Sequence, residues 1–523
     1  MGRQSASPTF ITEIPLKTTL REEVMLIKRL EAGRQLYNAC LGEAMRRVKL
    51  IRQSKLHQTA RKLPKDNKNR TNLFKEVNQQ YSYSEYALHS YAKYIRASWI
   101  GEHIDANTAQ TIATRAFIAS QKVLFGRAKR VRFKGKNQLD SLEGKTNKQG
   151  IRWKDERLVW SKLEISPLIM KNDPVIWHGL NSKVKYVRLV RRKLNGKNRF
   201  YAQLVCEGFP YQKPLNSSGG ETVGLDLGPS TIAIVGETQA KLTFFVSELD
   251  LKQKDIRRLQ RKLERQRRGN NPNNYNENGT VKKGPKKWQD SQGYKNTKTQ
   301  LSEIHRKQAA HRKSLHGRLI NEIIRLGKNI KTEKLSYKAW QKNFGKSINH
   351  RAPSSFLSRL KQKAENAGGR LREFSTITTA LSQNCHCGIK EKKPLSQRVH
   401  RCNCGVISQR DLYSAYLARF VDDDNRLQAD LAKEAWSGAE LLLWTAWQQA
   451  TDKTNQQLEG RVPSSFGKIP PELELVVPKV IGAAESLDDV SISNDGESQT
   501  KVVNQITNHA QGGGCYEPPA LND

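Results

Sequence analysis

The sequence lacks the segments by which helical proteins enter or cross membranes. No uninterrupted apolar run is long enough to span a bilayer, and the chain does not open with a charged stretch followed by an apolar one. Both absences argue against a helical membrane span and against a secretory leader. We therefore expect a soluble, intracellular protein.

Acidic residues are few relative to basic ones. The 523 residues include 91 lysines and arginines but 50 aspartates and glutamates, which gives a formal net charge of +41. Ten of the acids fall in 454–523 beside four bases, so the excess of positive charge lies before that segment. A body this basic repels itself unless it binds a polyanion, most simply nucleic acid, with an anionic membrane surface as the competing interpretation. The polar, acidic segment 454–523 is predicted to be disordered.

Cysteine is scarce, yet four of the seven cysteines lie within CHCGIKEKKPLSQRVHRCNCG, 385–405. Two Cys-x-Cys pairs, each followed by glycine, supply the four soft ligands that one structural Zn²⁺ ion prefers. The predicted ligands are Cys385, Cys387, Cys402 and Cys404. Because the pairs are one residue tighter than usual, His386 or His400 could replace a cysteine. A chance cluster of buried or reactive thiols is the competing interpretation.

Within the first two hundred residues, the spacing of apolar residues changes from helical to strand-like. TFITEIPL, 9–16, reads as a strand, and helical spacing continues to about residue 129. From residue 130 the period becomes two, and 184–208 reads as a hairpin that turns at Asn195-Gly196. With RVRFKGK, 130–136, and IRWKDERLVW, 151–160, the hairpin suggests a small β-barrel. In YSYSEYALHSYAKYIRASW, 81–99, we favour tyrosines that pack on a helix over tyrosines that stack on bases.

After a linker at 215–221, three short strands are predicted at 222–227, 230–236 and 241–248. A strongly basic helix, 251–268, follows, then an Asn/Gly/Lys-rich insertion, 269–297, and a second helix to about residue 326. A solvated surface is the plain interpretation of these bases, but their density with few acids between them favours a phosphate-facing surface. The residues predicted to bind nucleic acid are Arg257, Arg258, Arg261, Lys262, Arg265, Arg267, Arg268, Arg132 and Lys134.

Three carboxylates stand at the ends of predicted elements. Asp226 lies inside the apolar run VGLDLGPSTIAIV, Glu333 ends a later strand, and Asp411 opens a helix. A single carboxylate in a strand is usually structural, but this order and placement match a ribonuclease-H-like active site. Clustered carboxylates repel each other and are costly to desolvate, and two Mg²⁺ ions about 3.5–4 Å apart would resolve both problems. We predict that these three acids are catalytic and hold magnesium.

Taken together, VGLDLGPSTIAIV, IKTEKLS, CHCG…CNCG and QRDLYSAYLARF resemble the RuvC-type nuclease core and inserted zinc ribbon of transposon-encoded TnpB proteins. Type V CRISPR effector nucleases are relatives of these proteins. GRQLYNACL, RFKGK, the basic helical pair and FLSRLKQKAENAG also stand where that family has similar segments. The resemblance covers most of 9–450.

The resemblance implies an α+β multidomain fold. An RNase H-like (RuvC) mixed sheet would carry the zinc ribbon, and a small wedge-like β-barrel would carry a helical recognition domain. The implied boundaries are 1–20 and 130–215 for the barrel, 21–129 for the recognition helices, 216–375 and 408–450 for the nuclease domain with its basic helical insertion 251–326, and 376–407 for the ribbon.

The resemblance also implies an activity and its partners. The expected protein is an RNA-guided DNA endonuclease of the prokaryotic cytoplasm, associated with the nucleoid. It would bind a guide RNA with a structured part and a variable end, and would cut matching double-stranded DNA beside a short flanking motif. The acids of the family map onto Asp226, Glu333 and Asp411. The chain departs from the family at Tyr413, where asparagine is usual, in the tighter cysteine pairs, in the 269–297 insertion and in the acidic tail.

Other functions stay open at this point. A relative that is guided by RNA but binds DNA without cutting, for transposition targeting or repression, would explain most of the pattern. An RNase H-like transposase would join DNA ends and need no guide. A basic RNA-binding structural protein would explain the charge but not Asp226. The sequence leaves the oligomeric state open as well.

Overall fold

The computed structural model describes residues 7–394, 396–457 and 464–474. The chain divides into two compact units, one with residues up to 212 and 263–303, the other with 213–262 and residues from 304 onward. The predicted barrel and recognition helices therefore belong to one unit. Among the described helices, none combines the length and the apolar character that a membrane span requires.

The first unit is built from helices and short antiparallel sheets. It contains β1 (Thr9–Pro15), α1 (Leu20–Gln53), α2 (Lys55–Lys62), α3 (Lys68–Gln80), α4 (Glu85–Arg96), α5 (Ala106–Leu124), β2 (Ser141–Glu143), β3 (Ile151–Lys154), β4 (Arg157–Trp160), β5 (Leu163–Ile165), α6 (Pro174–Leu180), β6 (Val184–Leu194) and β7 (Lys197–Glu207). The strands form sheets with the orders β1-β7-β6-β2 and β3-β4-β5. The apolar face of β7 shares one core with α1, α4 and α5.

The predicted hairpin is confirmed, with β6 and β7 joined at Asn195 and Gly196. Both turn residues have positive φ, +50° and +78°, as the tight turn of a twisted hairpin requires. The predicted strand at 130–136 is wrong. Side chains of α1 bind that backbone instead, since Asn38 accepts from the Lys134 N–H and donates to the Lys134 carbonyl, both at 2.9 Å. Asn38 therefore fixes Lys134 without a strand partner.

The tyrosines of 81–99 divide between two environments. Tyr83 is buried and Tyr91 packs partly against the core, as predicted. Tyr86 and Tyr94, however, are 82% and 75% exposed, so the packing prediction is wrong for them. The helical period explains the division, because Tyr86 and Tyr94 are eight residues apart and share the outer face of α4.

The second unit holds the predicted sheet and cysteine segment. In chain order the elements are β8 (Thr222–Leu227), β9 (Thr231–Val235), β10 (Ala240–Phe244), α7 (Gln253–Asn270), α8 (Gln292–Leu326), β11 (Asn329–Glu333), α9 (Tyr337–Arg351), α10 (Pro353–Asn366), β12 (Arg370–Phe374), α11 (Thr376–Thr379), β13 (Val399–Arg401), β14 (Ile407–Gln409), α12 (Arg410–Ala418), α13 (Ala429–Glu434), α14 (Trp436–Gln457) and α15 (Pro471–Glu474). The division between the units runs through α7 and α8.

A five-stranded mixed sheet is the centre of this unit, with the order β10-β9-β8-β11-β12. The pairs β10–β9 and β9–β8 are antiparallel, and β8–β11 and β11–β12 are parallel. The predicted mixed sheet is therefore confirmed. One face packs against α8 and α10 through residues such as Leu225 and Ile234, and the other packs against α12 through Ala233 and Val235. Both faces are covered, as parallel strands usually are.

The predicted acidic tail, 454–523, falls largely outside the described residues. Within the described part, α14 continues to Gln457, and Phe466 is buried against the sheet-side core. Trp447 donates to the Phe466 carbonyl at 2.9 Å. The prediction that disorder begins at residue 454 is therefore wrong for 464–474, because an aromatic residue there completes the core.

Candidate active site and candidate metal centre

Asp226 and Glu333 lie at the ends of neighbouring parallel strands. The last residues paired between β8 and β11 are Leu225 and Thr332, and each carboxylate follows directly. Parallel strands are about 4.8 Å apart, and residues in register point to the same face. Leu225 packs on the α8 side, so Asp226 and Glu333 both point toward α12.

Helix α12 brings Asp411 to the same place. Its C-terminal neighbour Arg419 donates to the Thr222 carbonyl at 3.1 Å, and Ala415 packs directly over Gly224. Each step of two residues along β8 is about 6.6 Å, close to the rise of about 6 Å over four residues of α12. From the contact between Ala415 and Gly224, four residues back along α12 and two residues forward along β8 place Asp411 over Asp226.

Gly224 makes this approach possible. A Cβ atom built at residue 224 would lie 1.9 Å from the Ala415 carbonyl oxygen, far inside van der Waals contact. Only a residue without a side chain lets α12 lie this close to β8. Sequence reasoning missed this glycine, because its role depends on a helix nearly two hundred residues away.

The three carboxylates are partly buried and interact through Asp226. Burial raises the pKa of Asp226 well above its usual value, and the Asp411 and Glu333 carboxylates raise it further. Burial raises the pKa of Glu333 to about 7 and also raises that of Asp411. Asp226 is thus the carboxylate on which both of the others act, and adding a cation there would relieve both burial and repulsion.

Two arginines, one in the cysteine segment and one at the start of α12, partly offset this negative charge. The Arg398 guanidinium lies 3.8 Å from the Asp411 carboxylate. Arg410, mostly buried, donates to the carbonyls of Pro394 and Gln397 and lowers the pKa values of Asp411 and Glu333 against the effect of burial. Sequence reasoning missed both. The fold of the cysteine segment brings Arg398 to a residue thirteen positions later, whereas Arg410 directly precedes Asp411 in the sequence.

The raised pKa of Glu333 predicts a pH dependence of stability. In Mg²⁺-free buffer, the free energy of unfolding should fall by up to about 3 kcal/mol as the pH rises from 4.5, the ordinary pKa of this carboxyl, to about 7. In that window the folded chain keeps a proton that the unfolded chain has lost. Above about pH 7 the loss is complete. Denaturant titrations across this range should show the slope in the parent and a flatter curve in Glu333→Gln; equal curves would contradict the assignment.

The four clustered cysteines form a compact thiol site. Their sulfur atoms all lie within 4.8 Å of one another, with Cys385–Cys404 at 3.5 Å and Cys387–Cys402 at 3.4 Å. Tetrahedral zinc with bonds of about 2.3 Å needs sulfur atoms about 3.8 Å apart, whereas a disulfide needs about 2.05 Å. Among the described residues, this is the one group of three or more metal-ligating side chains that is so compact. The site therefore fits a single zinc ion.

Two glycine turns shape this site. Gly388 and Gly405 have φ values of +87° and +97°, which favour glycine. Each donates to the carbonyl of the first cysteine of its pair, Cys385 or Cys402, at 3.0 Å. The tight Cys-x-Cys spacing is therefore compatible with two paired knuckles.

The two histidines are not part of the thiol group. His386 Nδ1 lies 3.0 Å from the Tyr413 hydroxyl, and His400 Nδ1 lies 3.0 Å from the Lys393 ammonium. The alternative in which a histidine replaces a cysteine ligand is therefore not supported. Burial lowers the pKa of both histidines, that of His400 to about 3.

The predicted basic helix is α7, and most of its predicted nucleic-acid ligands are exposed. Of the predicted ligands on this helix, the exposed ones are Arg257, Arg258, Arg261, Lys262, Arg265 and Arg268, and Arg132 elsewhere is also exposed. Arg267 is half-buried, with its guanidinium 3.8 Å from the centre of the Trp288 ring. An exposed basic helix face can contact phosphates without rearrangement.

The insertion after α7 forms a compact lobe, residues 271–291, which we call the basic lobe. Asn271 donates to the Gln289 carbonyl at 2.9 Å and accepts from the Gln289 N–H at 2.7 Å, which closes the lobe at its base. Tyr275 and Trp288 pack edge to face with ring centres 5.9 Å apart. The lobe carries four lysines in six positions, Lys282, Lys283, Lys286 and Lys287.

One segment of the chain matches a model of a known protein family. Residues 354–417 match the family model described as the Cas12f1-like TNB domain. This segment runs from α10 through the cysteines and includes Asp411 and most of α12. The match confirms the predicted resemblance to TnpB and type V effector nucleases for that part of the chain. No curated protein matches the sequence.

Two solved structures overlap with much of the chain. A Cas12f1–sgRNA–target DNA complex has 13% identity, covers 78% of this chain and 98% of its own, and gives a TM-score of 0.40. A CRISPR-Cas12f ternary complex has 12% identity, covers 78% and 83%, and gives 0.26. Because both TM-scores are below 0.5, the fold described above rests on the chain's own geometry.

Proposed function

We propose that the chain is an RNA-guided DNA endonuclease that hydrolyses phosphodiester bonds. The observation that carries this proposal is the convergence of Asp226, Glu333 and Asp411 from two parallel strands and one helix. Burial raises the pKa values of all three carboxylates, so keeping them ionised is costly to the fold, and a structural role would be met by fewer charges. A cation-dependent reaction at this position explains the cost.

The three acids would hold the metal ions together. Carboxylate oxygens are the ligands that Mg²⁺ prefers, and Asp226, Glu333 and Asp411 are the carboxylates that would supply them. Two bound Mg²⁺ ions would activate a water molecule and stabilise the leaving 3′ oxygen. Arg398 and Arg410 would orient Asp411 and balance charge when a phosphate enters.

The proposed partners are a guide RNA and double-stranded target DNA. The Cas12f1 complex that overlaps with this chain contains sgRNA and target DNA. The formal charge of +41 favours a large polyanion as the partner. Base pairing would supply sequence specificity, and the chain would grip the A-form heteroduplex by its backbone and read a short flanking motif. We propose that the antiparallel sheets and helices of the first unit contribute to that grip.

We further propose that the four cysteines hold one structural zinc ion. All four ligand positions would be filled by thiolates, so no position is left for substrate. The cysteine segment lies between β12 and α12, so a metal-bound ribbon would stabilise the approach to Asp411.

The proposal is tested by purifying the chain from cells together with its RNA and sequencing that RNA. We expect one abundant structured RNA with a variable end. A heterogeneous RNA population, or none, would contradict guidance and shift the interpretation to a transposase or to an unguided nucleic-acid-binding protein.

The basic lobe predicts a measurable salt dependence. Alanine at Lys282, Lys283, Lys286 and Lys287 should weaken RNA binding and reduce the slope of log affinity against log salt by about 0.7–0.9 for each phosphate that is no longer neutralised. Filter binding at several salt concentrations measures this slope. Arginine at the same positions keeps the charge and should keep the slope. An unchanged slope in the alanine variant would show that the lobe faces solvent.

A further inference from the structure

Tyr413 is a buried residue of the active-site helix that the proposed chemistry does not use. It follows Asp411 by two positions on α12 and is 1% exposed. A buried hydroxyl is costly unless it forms hydrogen bonds. The contacts of this hydroxyl therefore show what the residue is for.

Among the described residues, the hydrogen-bond partners of the Tyr413 hydroxyl all belong to the first cysteine knuckle. It accepts from the His386 backbone N–H at 3.0 Å, and it lies 3.3 Å from Cys385 Sγ and 3.0 Å from His386 Nδ1. His386 is the residue between the two cysteines of this knuckle. The hydroxyl is thus bound to a loop that supplies half of the thiol site.

The ring of Tyr413 packs against the other half of the cysteine segment. The centre of the His400 ring lies 4.3 Å from that of Tyr413, and His400 belongs to β13, just before the second cysteine pair. The centre of the Trp436 ring lies 5.4 Å from that of Tyr413. Both halves of the segment therefore contact this one side chain.

Asp411 and Tyr413 point to opposite sides of α12. Two residues along an α-helix correspond to a rotation of about 200°. Asp411 faces the sheet, where Gly224 and Ala415 fix the distance, and Tyr413 faces the cysteine knuckle. The first turn of the helix is held between these two contacts.

We propose that Tyr413 is a positioning residue that links the zinc site to the catalytic carboxylate Asp411. A zinc-bound Cys385 thiolate has no proton and accepts the Tyr413 hydroxyl hydrogen, while the His386 N–H continues to donate to the same oxygen. This contact outside the ligand set stabilises zinc binding. It also fixes the first turn of α12, so loss of the metal or of the hydroxyl displaces Asp411 from Asp226. The second part of the proposal rests on the proposed function.

The test compares Tyr413→Phe with Tyr416→Phe in the full-length chain. Tyr416 is the matched control, since it is fully buried on the same helix and its hydroxyl donates to the Ala432 carbonyl, away from the cysteines. Zinc affinity is measured by competition with a chromogenic chelator, and the thiolate environment by the absorption spectrum of the Co²⁺-loaded chain. Affinity of the carboxylate site is measured by titration with Mn²⁺ under electron paramagnetic resonance.

We expect Tyr413→Phe to weaken zinc binding by about 10- to 100-fold, to shift the Co²⁺–thiolate absorption and to weaken Mn²⁺ binding, and Tyr416→Phe to leave all three near the parent values. Equal zinc affinity and equal spectra in the parent and Tyr413→Phe would overturn the proposal. So would equal losses in the two variants, because they would reflect general destabilisation. Failure of the proposed function would appear separately, as a parent chain that binds no Mn²⁺, while the zinc comparison would still decide the contact with Cys385.

Discussion

Asparagine at Asp226 is expected to reduce DNA cleavage on the order of 10³-fold, about 4 kcal/mol of transition-state stabilisation, with RNA binding unchanged. The substitution keeps the shape of the side chain but removes the charge of the carboxylate that interacts with both Asp411 and Glu333. Cleavage is measured in single-turnover reactions with guide-loaded protein and matching DNA.

The same variant should not be less stable than the parent in Mg²⁺-free buffer. Burial and neighbouring carboxylates make the ionised Asp226 costly, and asparagine removes both costs. Asp430→Asn, at an exposed aspartate of α13, is the matched control and should cleave normally. Normal cleavage by Asp226→Asn would show that the three acids are not the catalytic group.

Alanine at Gly224 should reduce cleavage by about 10²-fold and the free energy of unfolding by about 1–3 kcal/mol. The added methyl group would lie 1.9 Å from the Ala415 carbonyl oxygen, so α12 must move away from β8. Asp411 belongs to that helix and would move with it, although no catalytic group has been changed. Single-turnover cleavage and denaturant unfolding measure the two effects.

Gly220→Ala is the control for this variant, because a Cβ atom at residue 220 meets no atom within 4 Å. It should match the parent in cleavage and in stability. Raising the Mg²⁺ concentration should partly restore cleavage by Gly224→Ala, since the carboxylates are displaced rather than removed. Cleavage at the parent rate by Gly224→Ala would contradict the placement of α12 over β8.

The acids of the candidate site could be predicted because each lies at the end of a strongly patterned element. The apolar run 223–235 around Asp226 predicts strands, and β8 and β9 lie there. Glu333 ends β11 as expected, and Asp411 is in the first turn of α12. Local pattern was sufficient because parallel strands end at the same edge of a sheet.

Features that depend on distant contacts could not be predicted. The segment 130–136 alternates like a strand, but Asn38 binds the Lys134 backbone, so a helix side chain replaces the strand partner. The proximity of Arg398 to Asp411 arises from the fold of the cysteine segment. Tyr413 could be recognised as a departure from the family, but its partner Cys385 could not. In each case the deciding partner is in another element.

The division of the chain into two units is a further difference from the sequence-based domain boundaries. The sequence places the whole basic helical segment in the nuclease domain, whereas 263–303 groups with the helices and antiparallel sheets of the first unit. The charge pattern predicts that α7 is a basic helix, but it does not indicate which of the two units each end of the helix belongs to. The exposed arginines and the basic lobe therefore need testing as separate surfaces.

The most direct test of the central claim is a cleavage reaction with a chosen guide. The chain is loaded with its co-purified RNA scaffold, given a new variable end, and incubated with a plasmid library that carries the matching sequence beside randomised flanks. The account predicts cutting that requires added Mg²⁺, that occurs at the matching sequence and that selects one short flanking motif. Plasmids that stay intact, or that are cut regardless of the match, would contradict it.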